Sequence, residues 1–173
     1  MILLSLLNED VIKVGLESED KEELFEEMVD ILVRTGKIKD RKKALESLWE
    51  REKKGTTGIG KGVAIPHSKT SVVDELVAAV GISKEGIEYE SLDGELVYLV
   101  FLMFSAEGTA GPHIEALADV ARLVETPGFC RKLREAKDSR EAMQIIRNFA
   151  AELKENAGAG NNQGNATGRA ESA

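Results

Sequence analysis

Residues 96–104, LVYLVFLMF, form the run that most limits what this chain can fold into. A strand with one wet face alternates apolar and polar side chains, whereas a run interrupted only by Tyr98 reads as a strand covered on both faces. Helices must supply the cover. The pattern contains them: Leu24, Phe25, Met28, Val29, Ile31 and Leu32 make one apolar stripe on a helix predicted from Glu19 to Arg34, after Ser18 and with Gly36 as its stop. Asp40 is placed to cap a second helix that runs to about Lys53, burying Ala44, Leu45, Leu48 and Trp49, with Gly55 to end it. Two shorter strands are predicted at Val63–Ile65 and around Leu76–Ile82. Further helices open at Gly111-Pro112, near Thr126-Pro127 and at Ser139, carrying the stripes Ile114, Leu117, Ala118, Ala121 and Met143, Ile145, Ile146, Phe149. No internal repeat is visible. The expectation is α/β, in a single domain over residues 1–153.

From about Asn156 the sequence becomes NAGAGNNQGNATGRAESA, small and polar with no apolar period. Such a segment buries too little surface to offset its chain entropy, so residues 154–173 are expected to be a disordered polar tail. The opening MILLSLLNED reads as a first strand or a turn of helix. It lacks the basic stretch and small-residue cleavage site of a signal peptide.

Composition excludes several function classes. With 42% apolar and 31% charged residues, no apolar run approaches the roughly 18 that a membrane span needs, so direct membrane insertion is not expected. The net charge of −8 offers no footing on nucleic acid, where affinity comes mostly from cations against phosphate. Cys130 is the only cysteine and cannot form an internal disulfide, which fits the cytoplasm.

The chemistry gathers around GKGVAIPHSKT, residues 60–70, which glycines at 58, 60 and 62 lead into. From Gly55 the segment GTTGIGKG nearly spells a nucleotide-binding P-loop. That reading fails on mechanism: Gly62 stands where a hydroxyl should reach magnesium, a helix precedes the loop, and a short strand comes after it in place of a helix N-terminus. The spacing is not that of a dinucleotide-binding loop either. What the glycines do allow is backbone with φ > 0 and bare N–H groups, a geometry that can hold an anion.

His67 comes directly after that loop. It can simply end a strand, half exposed. Alternatively, its neutral imidazole is a nucleophile that accepts a phosphoryl group reversibly, and Pro66 fixes the direction of the chain entering it. The other histidine, His113, stands just after Pro112 at a predicted helix N-terminus, where the dipole favours a nearby anion and a neutral ring. Two histidines with no third convincing ligand make a poor metal site.

The stretch EKKGTTGIGKGVAIPHS, residues 52–68, resembles the active-site signature of the enzyme IIA domains of the bacterial phosphotransferase system, in the fructose/mannitol and nitrogen-regulatory class. Glu52, Ile59, Gly60, Val63, Ala64, Ile65, Pro66 and His67 fill that signature in order. Ser68 departs from it, standing where the family usually has Gly, Ala or Cys. The Arg51-Glu52 pair and GPHIEALADVARLV, residues 111–124, are also similar to the family, with Ile114 where leucine is commoner.

The resemblance implies a single domain built on a mixed sheet with helices on both faces. It implies that His67 takes a phosphoryl group from an HPr-like phosphocarrier and passes it to a IIB-type acceptor, with no nucleotide, metal or other cofactor. Phosphoryl transfer of this kind is mainly positioning and charge stabilisation. Arg51 would offer a planar pair of donors and His113 one more hydrogen bond, both as catalytic residues; the Thr56-Thr57-Gly58 turn would bind phosphate through N–H and hydroxyl groups. Each has a plainer alternative: Arg51 a solvated helix residue, the threonines a cap and turn, His113 a capping residue. The second functional class is a regulator resembling the nitrogen-regulatory members, whose phosphorylation state controls binding to a target protein. A non-phosphorylated binding module is a third, and the intact histidine pair argues against it. In either of the first two the chain is expected to act in trans on separate proteins.

Overall fold

The computed structural model describes residues 1–167, with side chains as far as Ala159. In chain order the elements are α1 (Ile2–Leu6), a single 3-10 turn (Glu9–Val11), β1 (Ile12–Val14), α2 (Lys21–Arg34), α3 (Arg41–Glu52), β2 (Gly58–Gly60), β3 (Val63–Ala64), β4 (His67–Lys69), β5 (Val77–Ile87), β6 (Val97–Ser105), α4 (Ala110–Glu125), α5 (Phe129–Arg134) and α6 (Ser139–Thr167). The six strands form one mixed sheet in the order β1-β5-β6-β3-β2, with β4 also on β6. β5 and β6 are antiparallel, whereas β1 runs parallel to β5, and β3 and β4 run parallel to β6.

The apolar run behaves as its composition requires. Every residue of β6 is buried except Tyr98, which is partly exposed. Helices α2 and α3 pack together over β5 and β4, joined by the Phe25 and Trp49 rings with centroids 4.7 Å apart. The remaining helices form the other group: α4 and α5 lie on β6, α5 meets α6 through Phe129 and Phe149, and α1 sits against α4. Where α2 crosses β5 the layers nearly touch, since a Cβ on Gly81 would stand 2.5 Å from Met28 Sδ.

Local chemistry sets the helix ends. Asp20, not Ser18, caps α2, accepting from the Glu23 N–H, while the Ser18 hydroxyl donates to Glu27. Gly36 ends that helix at φ 75°, letting the Lys37 N–H reach back to the Leu32 carbonyl at 3.0 Å. Asp40 caps α3 as expected, accepting from the Lys43 N–H at 3.1 Å. The opening segment is a turn of helix, α1, and it is tied down from afar: the Leu3 N–H donates to the buried Asp119 carboxylate on α4 at 3.0 Å.

Strands β1, β2 and β4 have no counterpart among the sequence expectations, because three residues are too few to show a period. β5 reaches beyond Ile82 to Ile87 through an irregularity in its register with β6. The expected polar tail differs in backbone: α6 continues through Asn156 to Thr167 as helix rather than coil. Propagation from packed turns adds one backbone hydrogen bond per residue without a new nucleus. Leu153 is the last of its described side chains to pack on the core, and Lys154–Ala159 are all exposed. Residues 168–173 of that tail lie outside the described residues. Among the described residues no helix is long and apolar enough to cross a membrane.

Candidate functional site

β3 and β4 lie along one side of β6 in the same register, Val63 opposite Leu99 and His67 opposite Met103, with Ile65 and Pro66 in the gap between them. Pro66 cannot donate to the ladder, but its carbonyl accepts from the Met103 N–H at 3.0 Å. Ile65 and Pro66 thus interrupt the strand while staying bonded to their neighbours, and regular pairing resumes at His67.

The His67 ring is held by its own backbone. Nδ1 lies 2.7 Å from the Ile65 carbonyl oxygen, and a carbonyl only accepts, so Nδ1 carries the hydrogen. The lone pair of the neutral ring is thereby placed on Nε2. His113 comes to it from the first turn of α4: the two ring centroids are 5.4 Å apart and the planes are nearly perpendicular, at 87°. His113 Nε2 is buried with no hydrogen-bond partner among the described residues. Burial lowers the pKa of both rings. At His67 the Ile65 carbonyl opposes that effect, the charge of Arg51 adds to it and Glu52 opposes it; at His113 the nearby His67 adds to it. Both rings are consequently neutral at pH ~7.

Around them is an open cleft of about 410 Å³ lined by Ser47, Glu50, Arg51, Lys54, His67, Ser68, Lys69, Ser105, Ala106, Ala110, His113, Ile114 and Leu117. Arg51 closes the last turn of α3 and donates through one terminal nitrogen to the Gly55 carbonyl at 3.1 Å. Its remaining N–H groups are available to an anion, and Lys54 and Lys69 add two more cations to the lining.

The structure thus brings His67, His113 and Arg51 together. Of the Thr56-Thr57-Gly58 turn, expected to bind phosphate, none of the three lines the cleft. Thr57 is buried and gives both its N–H and its hydroxyl to the Glu52 carboxylate, at 2.9 and 2.6 Å. The Gly58 N–H donates to Thr56 Oγ1 at 3.1 Å, and a Cβ there would lie 2.9 Å from Ser91 Cα. The donors of Thr57 and the Gly58 N–H are thus spent on holding the loop together. In their place stand residues to which the sequence reading gave no part in the site. The Ser47 and Ser68 hydroxyls meet at 2.8 Å on the cleft wall, with Ser105 nearby. Lys69 stands two positions after His67 on a strand, so the two side chains share a face, and that period was a usable signal.

Residues 5–149 match the family model described as "Phosphoenolpyruvate-dependent sugar phosphotransferase system, EIIA 2". The chain belongs to that family. Among its relatives is the fructose-specific EIIABC component of Bacillus subtilis, 40% identical over 146 residues that cover 84% of this chain but 23% of that protein. A nitrogen regulatory protein of Bradyrhizobium diazoefficiens is 39% identical over 101 residues, covering 58% of this chain and 66% of the relative. The chain therefore spans less than two thirds of either. The crystal structure of the nitrogen regulatory protein IIA-Ntr from Neisseria meningitidis superposes with a TM-score of 0.78 at 29% identity, covering 84% of this chain and 99% of that one. The EIIA 2 match takes in all six strands, both histidines and Arg51, and ends inside α6.

Proposed function

We propose that this EIIA 2 chain is a phosphoryl carrier in which Nε2 of His67 is the acceptor. The carrying observation is the placement of that nitrogen: the Ile65 carbonyl takes the Nδ1 hydrogen, and the lone pair is left beside His113 and a cationic cleft. The incoming phosphoryl group travels from the phosphohistidine of an HPr-like carrier. Its P–N bond to the donor breaks as the bond to Nε2 forms, and the donor ring leaves with the electron pair. His67 keeps its Nδ1 hydrogen throughout, so the Ile65 carbonyl stabilises the positive charge that develops on the ring. Arg51 and the unpartnered His113 Nε2 serve as donors to the phosphoryl oxygens, which is where pre-positioned donors lower the barrier most. A IIB-type protein takes the group in the reverse displacement. No nucleotide or metal enters either step.

The Bacillus relative favours sugar uptake, with a IIB partner from a fructose system. The Bradyrhizobium and Neisseria proteins favour a second reading, in which the phosphorylation state controls binding to a target protein. Both use the same His67 chemistry. The single cysteine and the carrier partners fit a cytoplasmic protein.

Incubation with phosphorylated HPr tests the assignment. An acid-labile, base-stable adduct is expected on the wild-type chain and none on His67→Ala; an adduct that survives this substitution overturns it. Adding a IIB protein or a candidate target to the phosphorylated chain then separates relay from regulation.

A further inference from the structure

Behind the cleft lies a largely buried polar network, reaching the surface at Lys21, that the transfer chemistry does not touch. The Glu52 carboxylate is buried, its side chain 4% exposed, between Lys21 Nζ at 2.9 Å and both donors of Thr57. Thr57 has one hydroxyl hydrogen, and the carboxylate can only accept, so the Tyr89 hydroxyl at 2.6 Å must donate to Thr57 Oγ1. Tyr89 keeps its proton, its pKa raised first by burial and then by the Glu52 charge. The Lys21 ammonium also rests over the Tyr89 ring, 4.6 Å from its centroid. Burying this much polarity is costly unless the groups are paired, and here each of the four side chains has a partner.

The network ends on both members of the site. The Thr57 carbonyl accepts from the Ile65 N–H at 2.9 Å, and Ile65 in turn offers its carbonyl to the His67 ring. Two residues before Thr57, the Gly55 carbonyl receives the Arg51 guanidinium. We propose that Glu52 and Thr57 are positioning residues, clamping the 55–57 turn so that one rigid piece of backbone fixes the His67 tautomer and the place of Arg51 together. Neither touches the phosphoryl group. The inference rests on the phosphoryl-carrier reading for its effect on rate, but not for its effect on the ring. Thr57, sought as a phosphate ligand, acts one hydrogen bond further back.

The test uses the full chain labelled with ¹⁵N, as wild type, Thr57→Val, Thr57→Ser and Glu52→Gln. At pH above ~7, the His67 nitrogen shifts report the tautomer, and wild type should show the Nδ1–H form alone. Thr57→Val removes the hydroxyl at nearly constant shape. It is expected to mix the two tautomers and to slow uptake from phosphorylated HPr by about tenfold to a hundredfold, the cost of a small misplacement of a reacting group. Thr57→Ser should restore the spectrum and stay within about twofold of the wild-type rate. Wild-type shifts in Thr57→Val overturn the proposal, and so does a slower rate with an unchanged His67 spectrum. Should Thr57→Val fail to fold, Glu52→Gln, which keeps an acceptor for the Thr57 N–H, carries the same comparison. If the wild type takes no phosphoryl group at all, the carrier reading fails while the spectra still decide the positioning role.

Discussion

The rings of His67 and His113 meet edge to face at 5.4 Å, one at the edge of a strand and the other in the first turn of a helix. Neither element could supply the pair alone. The strand fixes which nitrogen of His67 is free, and the helix N-terminus brings His113 with a positive dipole end that suits a dianion. His113→Ala should therefore leave the adduct on His67 but slow its formation by about a hundredfold, the loss typical of one pre-positioned donor. Thermal unfolding should move little, because the ring is half exposed and its Nε2 gives up no bond. Rapid-quench kinetics with phosphorylated HPr and a melting curve measure the two effects separately.

Arg51 does two things at once, reaching the Gly55 carbonyl and lining the cleft. A lysine keeps the charge but loses the planar fork that allows both. Arg51→Lys is expected to slow transfer by about tenfold while the chain stays folded, and a wild-type rate in the same assay would show that charge alone suffices.

Acid should affect activity later than it would a free imidazole. Burial lowers the pKa of both histidines, so the folded chain stays neutral at these rings below the ordinary value of about 6.5. The rate of uptake should fall on the acid side with an apparent pKa under the free-imidazole value. Stability has the same sign. Above about pH 6.5 neither folded nor unfolded rings carry a proton; below it the unfolded chain binds protons first, so stability contributed by the two histidines is lost as pH falls towards their folded pKa values. The melting temperature of the wild type should fall relative to that of His67→Ala,His113→Ala as pH is lowered through that range.

We propose that the packed domain ends at Leu153, the last described α6 side chain on the core. A chain cut after residue 153 should unfold within about 0.5 kcal/mol of the full chain and accept phosphate at the same rate. A large loss in urea midpoint would show that the helical extension to Thr167 contributes to the fold.

Much of this was legible in the sequence, for physical reasons that can be named. Leu96–Phe104 suggested a covered strand because a half-wet strand would alternate, and β6, Val97–Ser105, is that strand. Leu24 to Leu32 had one apolar stripe and α2 buries it. His67, His113 and Arg51 were singled out because motif and residue chemistry pointed the same way, and the three line one cleft. What stayed hidden depends on long-range pairing. The short strands β1, β2 and β4 exist only because β5, β6 or β3 offers them a ladder. Thr57 could not be told from a phosphate ligand, since a hydroxyl beside a glycine looks the same whether it faces water or a buried carboxylate supplied from five positions earlier. Ser47 reaches Ser68 only once α3 lies against β4.

The Ile65 carbonyl that occupies one nitrogen of His67 has a kinetic corollary. A ring with a single unencumbered nitrogen has a single doorway, through which cargo must both arrive and depart. On the proposed carrier reading giver and receiver cannot stand in it together, so turnover is expected to be double-displacement, with an excess of idle receivers jamming the exchange rather than speeding it.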